Sequence, residues 1–242
     1  MNPLFDTTIY TISTWIIPLL LAITLHEAAH GYVAHACGDN TAWRLGRVSL
    51  NPLRHVDPFG TVLLPAFLLL FHAPFLFGYA KPVPVRFDRL RHPRSDIIWV
   101  AAAGPATNLV LATAAAFLTH VVGYLPTGIG TWVLLNLINA INVNVILAVF
   151  NMIPIPPLDG GRVAVGVLPK PLSTWLARLE PYGMMILVSV LFFLPMLGQS
   201  MGIDTNVFGQ IVTGPASVTK MGAVRAPWKY SPGPVLRPIP SN

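Results

Sequence analysis

Five apolar stretches, at about 8–37, 59–79, 97–119, 131–153 and 182–198, each approach the roughly twenty residues that a helix needs to cross hydrocarbon. Only helices or closed barrels satisfy their backbone polar groups there, and stretches this long read as helices. The chain is 54% hydrophobic and 10% charged, against about 25% charged residues in soluble domains. The expected fold class is an all-α polytopic membrane protein with about four transmembrane helices, at 8–37, 97–119, 131–153 and 182–198. No basic stretch precedes the first apolar run and no small-residue cleavage signal follows it, so that run is expected to stay as a span. Residues 1–200 are expected to form one domain. From Gly202 the pattern weakens, and 201–242 reads as a weakly structured tail, rich over 214–242 in Pro, Gly, Lys and Arg.

Charge sets the expected topology. The connections at 39–58 (Arg44, Arg47, Arg54), 80–96 (Lys81, Arg86, Arg89, Arg91, Arg94) and 154–181 (Arg162, Lys170, Arg178) hold most of the 15 basic residues. The positive-inside rule places all three in the cytoplasm and the chargeless 120–130 loop outside. This works only if 59–79 does not cross. That segment contains Pro65, His72 and Pro74, and helix-breaking prolines suit a re-entrant or partly inserted segment buried against protein. The tail (Lys220, Arg225, Lys229, Arg237) then falls outside, against the rule, unless 202–213 returns the chain. The formal charge of +6 is no nucleic-acid signal, because the basic residues sit in short loops that suit anionic lipid. The expected partner is a lipid bilayer. Cys37 is the single cysteine, which excludes an internal disulfide and reads as a small buried apolar residue.

Inside the first apolar run lies His26-Glu27-Ala28-Ala29-His30. Two histidines four apart on a helix project from one face, one turn above the other. That geometry suits two nitrogen ligands on one zinc ion, with Glu27 beside the metal to take a proton from water. A carboxylate and two imidazoles are costly at membrane depth and mark a functional site; the alternative is a hydrogen-bonded polar cluster in a bundle core. A third ligand is needed, and Asp159 in the stretch from Asn151 to Arg162 is the candidate. It follows a Pro-broken helix end and precedes Gly160 and Gly161, so the backbone can turn its carboxylate inward; a plain turn is the alternative. His26 and His30 lie late in the first helix, and Asp159 lies just past the 131–153 helix. They meet at one depth only if those helices are parallel, which again requires that 59–79 does not cross.

On these residues, with Ala103-Gly104-Pro105-Ala106-Thr107-Asn108, the chain resembles the site-2 protease family (peptidase family M50) of intramembrane zinc metalloproteases, over about residues 12–198. Lesser matches are Gly38-Asp39-Asn40-Thr41-Ala42, Leu50-Asn51-Pro52 and Gly78-Tyr79-Ala80-Lys81-Pro82-Val83-Pro84. The resemblance is to small prokaryotic members without accessory domains. It implies one zinc ion per chain on His26, His30 and Asp159, with Glu27 as catalytic base. Asn151 and Asn108 become candidate contacts to substrate or transition state. It further implies hydrolysis of peptide bonds in or near transmembrane segments of a membrane-protein substrate, in the prokaryotic cell (inner) membrane, with the active site toward the cytoplasm. Many members carry a span ahead of the one bearing the histidines; none precedes it here, which puts the N-terminus outside. Two alternatives stay open. A membrane metal carrier does not need Glu27 beside the metal, and a catalytically silent substrate-binding relative should lack a ligand or the base.

The remaining polar residues have milder readings. Asn144 and Asn151 share a helix face, while Asn136, Asn139 and Asn142 are spread over other faces. Membrane asparagines are commonly interhelical hydrogen-bond glue, so only Asn151 among these takes a site role. Asn108 follows Gly104-Pro105 and a run of alanines, which favours close packing of the middle span on the histidine-bearing helix. His35 lies about 140° round the helix from His30 and is not expected as a ligand. His55 and Asp57 read as a structural polar pair near the membrane surface. Residues 78–85 alternate with Pro82 and Pro84 and are expected as a short edge strand along which a substrate could extend; a proline-stiffened linker is the alternative.

Overall fold

The computed structural model describes residues 3–71 and 78–189. Helix α1 (Pro3–Ala36) runs through Pro18, and α2 (Thr41–Arg44) is a single turn after it. A π-helical turn, Pro58–Leu63, leads into α3 (Leu64–Leu70). Then come α4 (Pro93–Thr119), α5 (Thr127–Asn151), α6 (Asp159–Val167) and α7 (Lys170–Arg178). Three helices, Ile9–Ala36, Pro93–Thr119 and Thr127–Asn151, are long and apolar enough to cross a membrane. Of the fourth expected span, Tyr182 ends a 3-10 turn and 183–189 are helical, while 190–198 lie outside the described residues. The helical part of 59–79, over 58–70, is about 20 Å long at 1.5 Å per residue, short of the roughly 30 Å hydrocarbon thickness. Residues 72–77, and with them part of the expected re-entrant segment, lie outside the described residues.

The three long helices pack mutually, and small residues make the contact. Ala22, Ala28 and Ala34 of α1, Ala101, Gly104, Ala112 and Ala115 of α4, and Ala148 of α5 are buried. Ile12, Trp15, Ile16, Leu19, Leu109, Val110 and Phe117 face outward. This inverts the soluble pattern, as expected where lipid solvates the large apolar side chains and backbones close on small ones. Hydrogen bonds fix the directions. His30 meets Val100 and His26 meets Asn108, so α1 and α4 are antiparallel. Trp132 reaches Ser13, and Asn139 reaches Thr14, while Asn144, a turn further along α5, meets Asn108. Helices α1 and α5 are therefore parallel, as the ligand argument required.

The expected edge strand at 78–85 is not formed: 78–86 belong to no strand. The reason is where the backbone groups go. The N–H groups of Tyr79 and Lys81 donate to the carbonyls of Gly60 and His55 at 3.0 and 2.8 Å. Those of Val83 and Arg86 donate to the carboxylates of Glu27 and Asp39 at 2.8 and 2.7 Å. Arg47 donates to the Lys81 carbonyl at 3.0 Å. The segment is an extended strap tied down by side chains and turns, and most of the edge a substrate strand would need is already used. Asp39 closes its far end, accepting also from the Thr41 N–H and hydroxyl. Burial alone would raise the Asp39 carboxyl, but the Thr41 and Arg86 hydrogen bonds outweigh it and hold it below the usual carboxylate range.

Candidate metal centre

His26 and His30 stand one turn apart on the face of α1 that meets α4. Room for the two rings comes from Gly104, where a Cβ would lie 2.5 Å from His26 Cε1 and from His30 Nε2. Close packing is thus the role of this glycine, and the packed objects are the imidazoles. Asp159 opens α6 immediately after the irregular 152–158 segment. A side chain on Gly160 would collide with the Met152 carbonyl, and one on Gly161 would lie 2.6 Å from the Pro156 nitrogen. The two glycines let the first turn of α6 fold against the end of α5, which carries the carboxylate inward. His26, His30 and Asp159 are 8%, 8% and 5% exposed.

The three side chains converge. The Nε2 atoms are 3.1 Å apart, and each is 3.3 Å from Asp159 Oδ2. Tetrahedral ligands at 2.0–2.1 Å from zinc stand roughly 3.3–3.4 Å apart, so this triangle has the size of one face of a zinc tetrahedron.

Asn108 Nδ2 faces the Ala22 carbonyl at 3.3 Å and Asn144 Oδ1 at 2.8 Å, which leaves Asn108 Oδ1 toward His26 Nδ1 at 2.6 Å. That oxygen only accepts, so His26 Nδ1 carries the proton. His30 Nδ1 faces the Val100 carbonyl at 2.6 Å and must donate too. Both Nε2 atoms of the neutral rings are then lone pairs. They point at a carboxylate oxygen, buried and without a hydrogen-bond partner of its own. With both rings neutral, three acceptors face one another, an arrangement that a cation at their centre satisfies, and two imidazoles with one carboxylate suit zinc. Among the described residues, this is the one cluster of three His, Cys, Asp or Glu side chains placed to hold a metal.

Asn108 is fully buried, with both ends of its amide engaged by protein. It orients His26 instead of facing a substrate, and Asn144 orients Asn108 in turn, itself fixed by donating to the Ala140 carbonyl at 2.8 Å. Sequence reasoning saw Asn144 only as glue, and the Val100 carbonyl left no signal at all. Asn151 donates to the Leu147 carbonyl one turn back and makes no hydrogen bond to the triad. Replacing Asn108 with Ala strands His26 Nδ1 and Asn144 Oδ1 together. Zinc affinity is expected to fall about 10–100-fold, the usual effect of losing a partner that orients a ligand, as read by competition with a chelator of known strength. Unchanged affinity would mean that the Asn108 bond does nothing for the ligand.

Comparison with known proteins agrees with this geometry. The chain is 36% identical over 193 residues, 75% of its length and 80% of the relative's, to the protein named "Putative zinc metalloprotease YwhC" of Bacillus subtilis (strain 168). The chain belongs to the YwhC family of zinc metalloproteases. It is also 29% identical over 180 residues to "Putative zinc metalloprotease Rip2" of Mycolicibacterium smegmatis, covering 74% of this chain and 66% of the relative. The Rip2 of Mycobacterium tuberculosis is 28% identical over 178 residues, with the same coverage. No family model and no solved structure matches the chain.

Proposed function

We propose that this chain is an intramembrane zinc endopeptidase of the site-2 type. Its substrates would be membrane proteins cut in or near a transmembrane segment, with the site toward the cytoplasmic side of a prokaryotic cell membrane. The observation that carries the reading is the buried triangle of lone pairs from His26, His30 and Asp159 with a carboxylate, Glu27, in the same helical turn. A metal carrier needs the triangle but not the carboxylate. A silent relative should have lost one of the four, and all four are present.

Bound zinc would supply a Lewis acid and an activated water. The chain's own groups do the rest. Asn108 and Val100 keep the two imidazoles turned so that their Nε2 lone pairs face inward. Glu27 takes the proton of the attacking water and returns it to the leaving amine. The walls of α1, α4 and α5 keep bulk water from the site, so charge developing at the scissile carbonyl is not screened. The basic connections on one side of the spans support the cytoplasmic placement.

The test is cleavage of single-span membrane proteins co-reconstituted with the full chain in liposomes. Cleavage at a position within or beside the span, abolished by a zinc chelator and restored by added zinc, is the expected result. Cleavage confined to soluble peptides, or indifferent to chelation, would remove the intramembrane zinc reading.

A further inference from the structure

Resting on the protease reading above, we infer that the backbone N–H of Val83 is the positioning group for the general base. Glu27 Oε2 accepts the Val83 N–H at 2.8 Å across 56 residues of sequence. No other hydrogen bond to Glu27 is found among the described residues. A carboxylate held at one oxygen has fewer orientations open to the other, the oxygen left free to take a proton.

The surroundings are built for this contact. Gly31 lies one turn after Glu27 on the same face of α1, and a Cβ there would lie 2.7 Å from Val48 Cγ2 and 3.2 Å from Val83 Cγ1. The missing side chain lets the strap lie against the helix. Val83 itself is 7% exposed. Pro82 and Pro84 have no N–H, so Val83 offers the one donor over three residues and cannot be replaced by a neighbour through a shift of register. The strap is pinned on both sides, by His55 and Arg47 at Lys81 and by Asp39 at Arg86. Glu27 thus meets a donor whose position is set by contacts far from the metal ligands.

Two measurements on the whole 242-residue chain test this. Labelling with 13C-carbonyl proline and 15N-valine isolates three amides, Val83, Val85 and Val235, and the Val83→Ala spectrum assigns the first. The Val83 amide is expected to exchange with solvent at least about ten-fold faster in Glu27→Ala than in wild type, with Val85 unchanged, because exchange reports the loss of its acceptor. Exchange at Val83 that ignores Glu27 would overturn the proposal. The second measurement removes the donor, by Val83→Pro and, without changing the side chain, by an amide-to-ester replacement at Val83. Turnover is expected to fall about 10–100-fold with KM and zinc content unchanged, and Val83→Ala, which keeps the N–H, should lose several-fold less. A raised KM with unchanged kcat would make the strap a substrate contact and overturn the positioning role. A wild type without chelator-sensitive cleavage would instead sink the protease reading, and the exchange comparison would still decide whether Val83 holds Glu27.

Discussion

Replacing Glu27 with Gln is expected to lower turnover by about 10²–10⁴-fold, the range that a general base contributes, while one zinc per chain stays bound. The two parts of the result separate because the residue lies between the ligands in sequence without belonging to their triangle. Gln is isosteric, and its carbonyl oxygen can still accept the Val83 N–H, so the strap and the helix keep their places. What is lost is the ability to take up a proton. Zinc content by elemental analysis, beside the cleavage rate of a membrane substrate, is the measurement. A variant that retained most of its turnover would move the base elsewhere and leave Glu27 as an anchor for the strap. A variant that lost its zinc would show that the carboxylate supports the metal directly.

The convergence of His26, His30 and Asp159 was legible because it follows from local rules. A four-residue spacing on a helix places two rings on one face whatever the rest of the fold does, so His26 and His30 could be paired from the sequence alone. Asp159 was legible from the glycines after it, and the structure shows the collisions that require them. The three long apolar helices followed from length and apolarity, and the parallel arrangement of α1 and α5 from the need to bring the candidate ligands to one depth. The edge strand failed for a physical reason. Alternation with prolines resembles an edge, but what the backbone of 78–86 bonds to is set by Glu27, Asp39 and Arg47, residues distant in sequence. No periodicity encodes that. Asn108 was read as a packing position or a substrate contact, and its bond to His26 depends on the antiparallel register of α1 and α4, which spacing within either helix does not reveal.

Asp159→Asn is expected to abolish zinc binding and yet to stabilise the metal-free protein, so that the two chains exchange their order of stability when zinc is added. In the wild type without metal, two imidazole lone pairs face a carboxylate oxygen, and nothing donates between them unless a ring takes up a second proton. An asparagine can turn its amide N–H₂ into the same space and donate to His26 or His30 Nε2. Relief of a buried unsatisfied polar group is worth about 1–3 kcal/mol, so the metal-free Asn variant should unfold later on heating or in denaturant. With zinc at about a thousand times its dissociation constant, the wild type gains roughly 4 kcal/mol by mass action, and the variant gains nothing because a neutral amide is a poor replacement for a carboxylate ligand. The order then reverses. Thermal unfolding in detergent, with chelator and with zinc, reads both halves in one experiment. If the metal-free variant is the less stable chain, the triangle is not a set of unpaired acceptors. A histidine proton then bridges to Asp159, and the cluster is a hydrogen-bonded polar core before it is a metal site.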